Sequence, residues 1–351
     1  MAARPGLADI YPARVVDRVA VVEVPFNSFG TADGVARMPD ALVGAGMYEV
    51  LGRLAEVNRA RVTFETPRSV RGPAGLLAEP ALVSMVENLS EIVGHTVAGG
   101  HWPLVIGGDC AVLLGALLGV RRAGYRPGLL FVDGHEDAWP PHRSPTGEAA
   151  DCEMGLALGL YPPPAALRAH VPLVAPEMVV PLGPRDSAEL SNASVESLAN
   201  RLRMVTGAEL VNGDTTEIAT SAADHLRAET EKWWLHVDLD VMSTEALPAV
   251  DYPQPGGLSC PGSVGSPGRR SGRVAASARR SSSTTQVVTT ERTPRSSCDT
   301  SLTSCPPAYR ARKPDRPYRT NDPEPNTPSG GCSGTARLSL AWRTSRPGLR
   351  R

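Results

Sequence analysis

A chain of 351 residues can hold two average domains or one large α/β domain. Its formal net charge of −1 hides two compositions: 17 Lys+Arg against 5 Asp+Glu from Ser259 to Arg351, a net of +12, and a net of −13 over Met1–Leu258. The N-terminus lacks a charged-then-apolar leader and no run approaches the roughly 18 apolar residues of a membrane span, so a cytoplasmic protein with no membrane partner is expected.

In chain order, Met1–Leu258 alternates strand and helix signals. Val19–Val24 and Val62-Thr63-Phe64 are β-branched runs suited to strands. Leu76 to Val97 carries Leu82, Met85, Val86, Leu89 and Val93 at helical spacing. Leu104-Val105-Ile106 predicts a strand stopping at Gly107-Gly108, Ala111 to Arg122 a buried helix, and Leu129–Val132 the next strand. Met178–Leu182 reads as a strand, Ser187–Leu202 and Thr215–Glu231 as helices, and Trp233–Val237 as a strand with the two tryptophans in the core. This alternation predicts a three-layer α/β/α domain with a mostly parallel sheet, whose ligands sit beyond the carboxyl ends of the strands.

The pattern stops after Leu258. Ser259–Arg351 has no Ile and no Phe, and only four Leu and four Val, too little apolar surface to offset the entropy of ordering it. It reads as a basic, low-complexity, disordered tail on a domain incomplete at its C-terminus. A break so abrupt fits out-of-frame translation. The rival reading, a basic arm for nucleic acid, is weakened by scattered arginines and by having only Tyr309, Tyr318 and Trp342 for stacking. The cysteines, two in the acidic part (Cys110, Cys152) and four in the tail, form no disulfide framework.

Three polar clusters fall at predicted strand ends: Gly107-Gly108-Asp109-Cys110, then Asp133, His135 and Asp137, then Asp238 and Asp240. In extended backbone alternate side chains share a face, so Asp133, His135 and Asp137 are expected to project together. Carboxylate oxygens suit hard divalent cations and imidazole suits borderline ones. Four Asp and one His could hold two ions that activate a water for attack on an electrophilic carbon. Cys110 either ligates or is a small buried residue starting a helix. His236 reads as a hydrogen-bonded strand residue, and His95, His101, His142, His170 and His225 as structural.

The order Gly-Gly-Asp-(His/Cys), Asp-x-His-x-Asp, Asp-x-Asp resembles the arginase/agmatinase/formiminoglutamase (ureohydrolase) family. Asn27-Ser28-Phe29-Gly30 with Asp33–Arg37, Gly183-Pro184-Arg185-Asp186 and Pro255-Gly256-Gly257-Leu258 add to the likeness, which spans about Asp17 to Leu258. The resemblance implies Mn²⁺-dependent hydrolysis of a guanidino or amidino C–N bond in a small substrate, releasing urea, by a homo-oligomer. It implies one ion on Cys110, Asp133, Asp137 and Asp238, and another on Asp133, His135, Asp238 and Asp240. Asp133 and Asp238 would bridge, and Asp137 would also orient the nucleophile.

Three departures stand out. Cys110 replaces the frequent His, which opens that ion's place to vacancy or to another metal; the loop Ser144–Asp151 lacks the proton-shuttling His of arginases; and Ala188 stands where arginases bind the substrate α-amine. Arginine itself is therefore not assigned as the substrate, no substrate-binding residue is assigned, and activity is expected to be impaired by the altered C-terminus. Two alternatives are a non-catalytic metal-binding homologue and a metallophosphoesterase. The latter usually needs a Gly-Asn-His-Asp element, which this chain lacks.

Overall fold

Among the described residues seven strands, each adjacent pair parallel, form one sheet in the order β2-β1-β3-β7-β6-β4-β5. They are β1 (Arg18–Val24), β2 (Glu56–Arg61), β3 (Trp102–Gly107), β4 (Pro127–Val132), β5 (Val179–Leu182), β6 (Lys232–Asp238) and β7 (Thr284–Thr289). The computed structural model describes residues 18–259 and the backbone of 284–289. Among these residues no helix is long and apolar enough to cross a membrane.

Both faces of the sheet are covered, and the side chains divide by alternation. Val22, Leu129 and Phe131 join the core under the helices α1 (Glu79–Ala98) and α2 (Val112–Arg122). Leu130 and Val132 point the other way, to a second core with Ala222, Ala223 and Leu226 of α3 (Thr215–Glu229). Val21 packs on that opposite face too, against Met38 and Tyr48. Trp233 and Trp234 fall on opposite faces and are both buried, as expected for core residues. Each large apolar side chain so buried contributes about 1.5–3 kcal/mol before the entropy of ordering it.

The structure corrects two sequence expectations. The second strand is Glu56–Arg61, not Val62–Phe64. It is a mostly exposed edge strand, where charged side chains such as Arg59 and Arg61 discourage further pairing and conceal it from a hydrophobicity rule. The helix predicted over Ser187–Leu202 ends at Asn192, and Leu198–Asn200 forms a separate 3-10 turn capped by Ser197. The stretch from Ser259 to Arg351, expected to be disordered, lies outside the described residues apart from Ser259 and the backbone of Thr284–Thr289.

Thr284–Thr289 lies between β3 and β6, with Leu104↔Gln286 and Val105↔Val287 on one side and Leu235↔Gln286 and His236↔Val287 on the other. Five of its six residues (Thr284, Thr285, Val287, Val288, Thr289) are β-branched, which favours extended backbone. The neighbouring strands would otherwise present two facing rows of unpaired peptide groups. Residues 260–283 and 290–351 lie outside the described residues.

Because every pairing is parallel, β3, β4, β5 and β6 end on one edge, at Gly107, Val132, Leu182 and Asp238. A proline inside β7 tests this arrangement. Val287→Pro removes a ladder donor from a strand paired on both sides, and should cost ~2 kcal/mol or more. Urea denaturation of the full chain would read this as an earlier midpoint; an unchanged midpoint would place 284–289 outside the sheet.

Candidate metal centre

The turn after β3 brings the first polar group into place. A Cβ on Gly108 would lie 1.8 Å from the Phe26 carbonyl oxygen, so only glycine fits this approach. Asp109 then faces away from the other carboxylates: it accepts the Ser28 N–H at 2.5 Å and the Ala111 N–H at 3.1 Å. Burial pushes its carboxyl up to about 6 against these hydrogen bonds. It is a clamp joining the Asn27–Arg37 loop to the start of α2. Cys110, fully buried, points inward and donates its S–H to Asp238 Oδ2 at 2.9 Å, with Asp133 Oδ2 at 3.8 Å.

β4 stops at Val132, so the alternation argument for Asp133, His135 and Asp137 does not hold as stated. A loop brings them together. The Asp133 carboxylate accepts the His135 N–H at 2.8 Å, and Asp137 takes a left-handed backbone with φ +46°. That conformation is unusual for a residue with a Cβ and persists where surrounding contacts hold it. Here the Asp137 carbonyl accepts N–H groups from Met154 and Gly155, at 2.9 and 3.4 Å.

β6 ends at Asp238, whose side chain caps the next turn by accepting the Asp240 N–H at 2.7 Å. Asp240 accepts the Gly134 N–H at 2.8 Å and lies 2.6 Å from His135 Nδ1. A Cβ on Gly134 would meet Arg185 Nη1 at 2.6 Å and Asp240 Oδ1 at 2.9 Å. The loop after β5 completes the framework: Arg185 donates to the Asp240 carbonyl at 2.6 Å, and Asp186 accepts the Glu136 N–H at 3.1 Å.

Among the described residues four groups of three side chains place one ligand atom each within 4.8 Å of the others. They are Asp133–His135–Asp137, Asp133–Asp238–Asp240, Cys110–Asp133–His236 and Cys110–Asp137–Glu153. All six residues singled out in the sequence fall in these groups. Sequence reasoning missed Glu153, which belongs to no spaced motif, and set His236 aside as a strand residue. His236 stacks on Phe131, with ring centroids 4.8 Å apart, and its Nε2 is 3.9 Å from Asp133 Oδ2. Burial lowers its pKa to about 3, so the ring is neutral.

Without a cation the electrostatics are unfavourable. Burial, then Asp137, Asp240 and Asp238, push the Asp133 carboxyl far up; burial and Asp240 push Asp238 to about 8. Burial alone would lower His135, but Asp240 and, beyond it, Asp186 and Asp238 raise it to about 9. Asp240 is held below the usual range by His135, Gly134 and Arg185, against its burial. Carboxylates so crowded and dry require protons or cations between them. An oxygen-rich set with imidazole fits hard or borderline divalent ions such as Mn²⁺.

The sign of the resulting pH dependence is fixed. The folded metal-free chain retains protons on Asp133 and Asp238 that the unfolded chain releases near its ordinary carboxyl pKa. Stability therefore falls as pH rises from about 4 towards 8, by ~1.4 kcal/mol per pH unit for each proton retained. Chemical denaturation in chelator across that range would show the decline, and stability flat or rising with pH would contradict it.

Residues 17–263 match the model of the arginase family. The arginase of Bacillus caldovelox is 27% identical over 251 residues, covering 69% of this chain and 82% of that protein. Its native structure at pH 5.6 superposes with a TM-score of 0.60 at 26% identity, over 69% of this chain and 82% of that one. Formimidoylglutamase from Bacillus subtilis, at 12% identity and a TM-score of 0.54 over 79% of this chain and 80% of that one, shares the fold. With a family match over more than half its length, this chain belongs to the arginase family.

Proposed function

We propose that this protein hydrolyses a guanidino or amidino C–N bond of a small molecule at a dinuclear Mn²⁺ centre. The observation that carries the reading is the meeting of Cys110, Asp133, His135, Asp137, Asp238 and Asp240 at the carboxyl ends of β3, β4 and β6. In this reading Cys110, Asp133, Asp137 and Asp238 hold one ion, and Asp133, His135, Asp238 and Asp240 the other. Bound divalent ions at such a centre supply Lewis-acid polarisation and a water nucleophile at neutral pH. The domain boundary stays at Leu258, with β7 contributed from beyond it, and the chain assembles as a homo-oligomer. The family match does not favour a metallophosphoesterase.

The remaining work falls to the chain's own groups. Asp137, held in its left-handed conformation, orients the nucleophile and takes its proton on a carboxylate oxygen. Arg185 fixes the Asp240 backbone and Asp186 fixes Glu136, so neighbouring carboxylates keep their directions. The loop Ser144–Asp151 brings further carboxyl groups, which a nearby cation would favour in the ionised form. Glu148 accepts from Tyr252 at 2.7 Å, and burial, with Asp109, Asp151 and Asp251 nearby, raises its carboxyl to about 7. An acidic surround suits a cationic guanidinium. Asp151 itself is engaged by Ser144 and Thr146, each at 2.7 Å, which stiffens the loop in place of a mobile histidine.

The test is product analysis with the purified full chain loaded with Mn²⁺, offered linear guanidino compounds with and without an α-amino-acid head. Slow urea release is expected, stronger from compounds without that head, and reduced ~100-fold or more in Asp137→Asn. Release of formamide without urea would move the substrate to the amidino class. Two bound ions with no hydrolysis of any such compound would instead mark a non-catalytic homologue.

A further inference from the structure

Glu153 opens the short helix Glu153–Ala157 and is completely buried. Among the described residues its carboxylate oxygens meet only its own backbone N–H and, when that residue carries a proton, Asp137. It is not a remote core residue: one of its oxygens, Cys110 Sγ and an Asp137 oxygen lie within 4.8 Å of one another. The two N–H groups from Met154 and Gly155 to the Asp137 carbonyl tie this helix to the Asp137 loop. Glu153 is therefore held in register with a residue already in the centre.

We infer that Glu153 is a ligand of the ion on the Cys110 side, supplying the hard oxygen that Cys110 does not. This rests on the dinuclear reading above and revises it at one position, with Glu153 taking the place given there to Cys110 around that ion. Two buried carboxylates side by side repel unless a proton or a cation lies between them. A cation there would satisfy Glu153 and Asp137 together, whereas a proton satisfies one oxygen of each. The chemistry of Cys110 points the same way. Its sulfur is soft, and its hydrogen is directed at Asp238 at 2.9 Å, so it acts as a donor to a bridging carboxylate. Glu153 then restores an oxygen-dominated set around an ion that favours oxygen.

The experiment compares the full chain, Glu153→Gln and Asp240→Asn for Mn²⁺ stoichiometry by calorimetry and for spin coupling by electron paramagnetic resonance. The unmodified chain should bind two ions with a coupled signal. In Glu153→Gln one ion should remain, the second weaken ~10-fold or more, and the signal become that of an isolated Mn²⁺. Asp240→Asn should weaken the other ion.

Melting of the same proteins separates ligation from a packing role. Glu153→Gln should melt no lower than the unmodified chain in chelator, yet gain a smaller upward shift from Mn²⁺. Two ions bound within twofold of normal affinity in Glu153→Gln, with the coupled signal intact, would overturn the assignment. So would lower melting in chelator with an unchanged shift from Mn²⁺. Fewer than two ions in the unmodified chain would overturn the dinuclear reading and this assignment with it, a failure distinguishable because it appears before any substitution.

Discussion

Like charge gathered where water is excluded is the constraint on which the rest of this structure depends. Asp133, Asp137, Asp238, Asp240 and Glu153 are all buried around one point, where the uncompensated charge of even two carboxylates would be costly. Much of the surrounding architecture limits that cost without removing it. His135 is held against Asp240, backbone N–H groups of Gly134, His135 and Asp240 are aimed at carboxylate oxygens, and Arg185 closes the side nearest Asp240. These contacts favour the Asp240 side. Asp133, Asp238 and Glu153 keep raised pKa values, so the unmet demand for positive charge is concentrated between them.

The parallel sheet makes that concentration possible. Strands whose carboxyl ends share an edge deliver side chains from distant parts of the sequence to one place, and the helices on both faces seal it from solvent. Asp109 shows how selective the delivery is. It sits between Gly108 and the inward-pointing Cys110, yet its carboxylate is spent on the Ser28 and Ala111 amides. Adjacent residues in one short turn thus divide into a clamp and a member of the centre.

The alternation of apolar runs made the layer architecture legible, because buried parallel strands such as Leu129–Val132 leave little other reading. The spaced acidic motifs made most of the site legible. Their geometry was less so: Asp133, His135 and Asp137 share a site through a loop and a left-handed Asp137, not through strand alternation. Glu153 was hidden because its partner Asp137 is fixed by tertiary contacts and no local spacing reports them. Glu56–Arg61 was hidden because an edge strand shielded by charge looks like a loop. Thr284–Thr289 was hidden because its own composition is poor in bulky apolar residues, and the slot it occupies exists only in the folded sheet.

That last strand has a consequence for the order in which the fold forms. β7 follows every other strand in the chain, yet lies in the middle of the sheet with a partner on each side. Until it docks, β2-β1-β3 and β6-β4-β5 are separate half-sheets, each with an open hydrogen-bonding edge. During synthesis those edges stay available to other chains until residues beyond 284 have left the ribosome. Joining the halves closes long loops late, a slow step for any chain of this topology. The halves also divide the acidic cluster, Cys110 with one and Asp133, Asp137 and Asp238 with the other, so closure of the sheet is what brings Cys110 to the carboxylates.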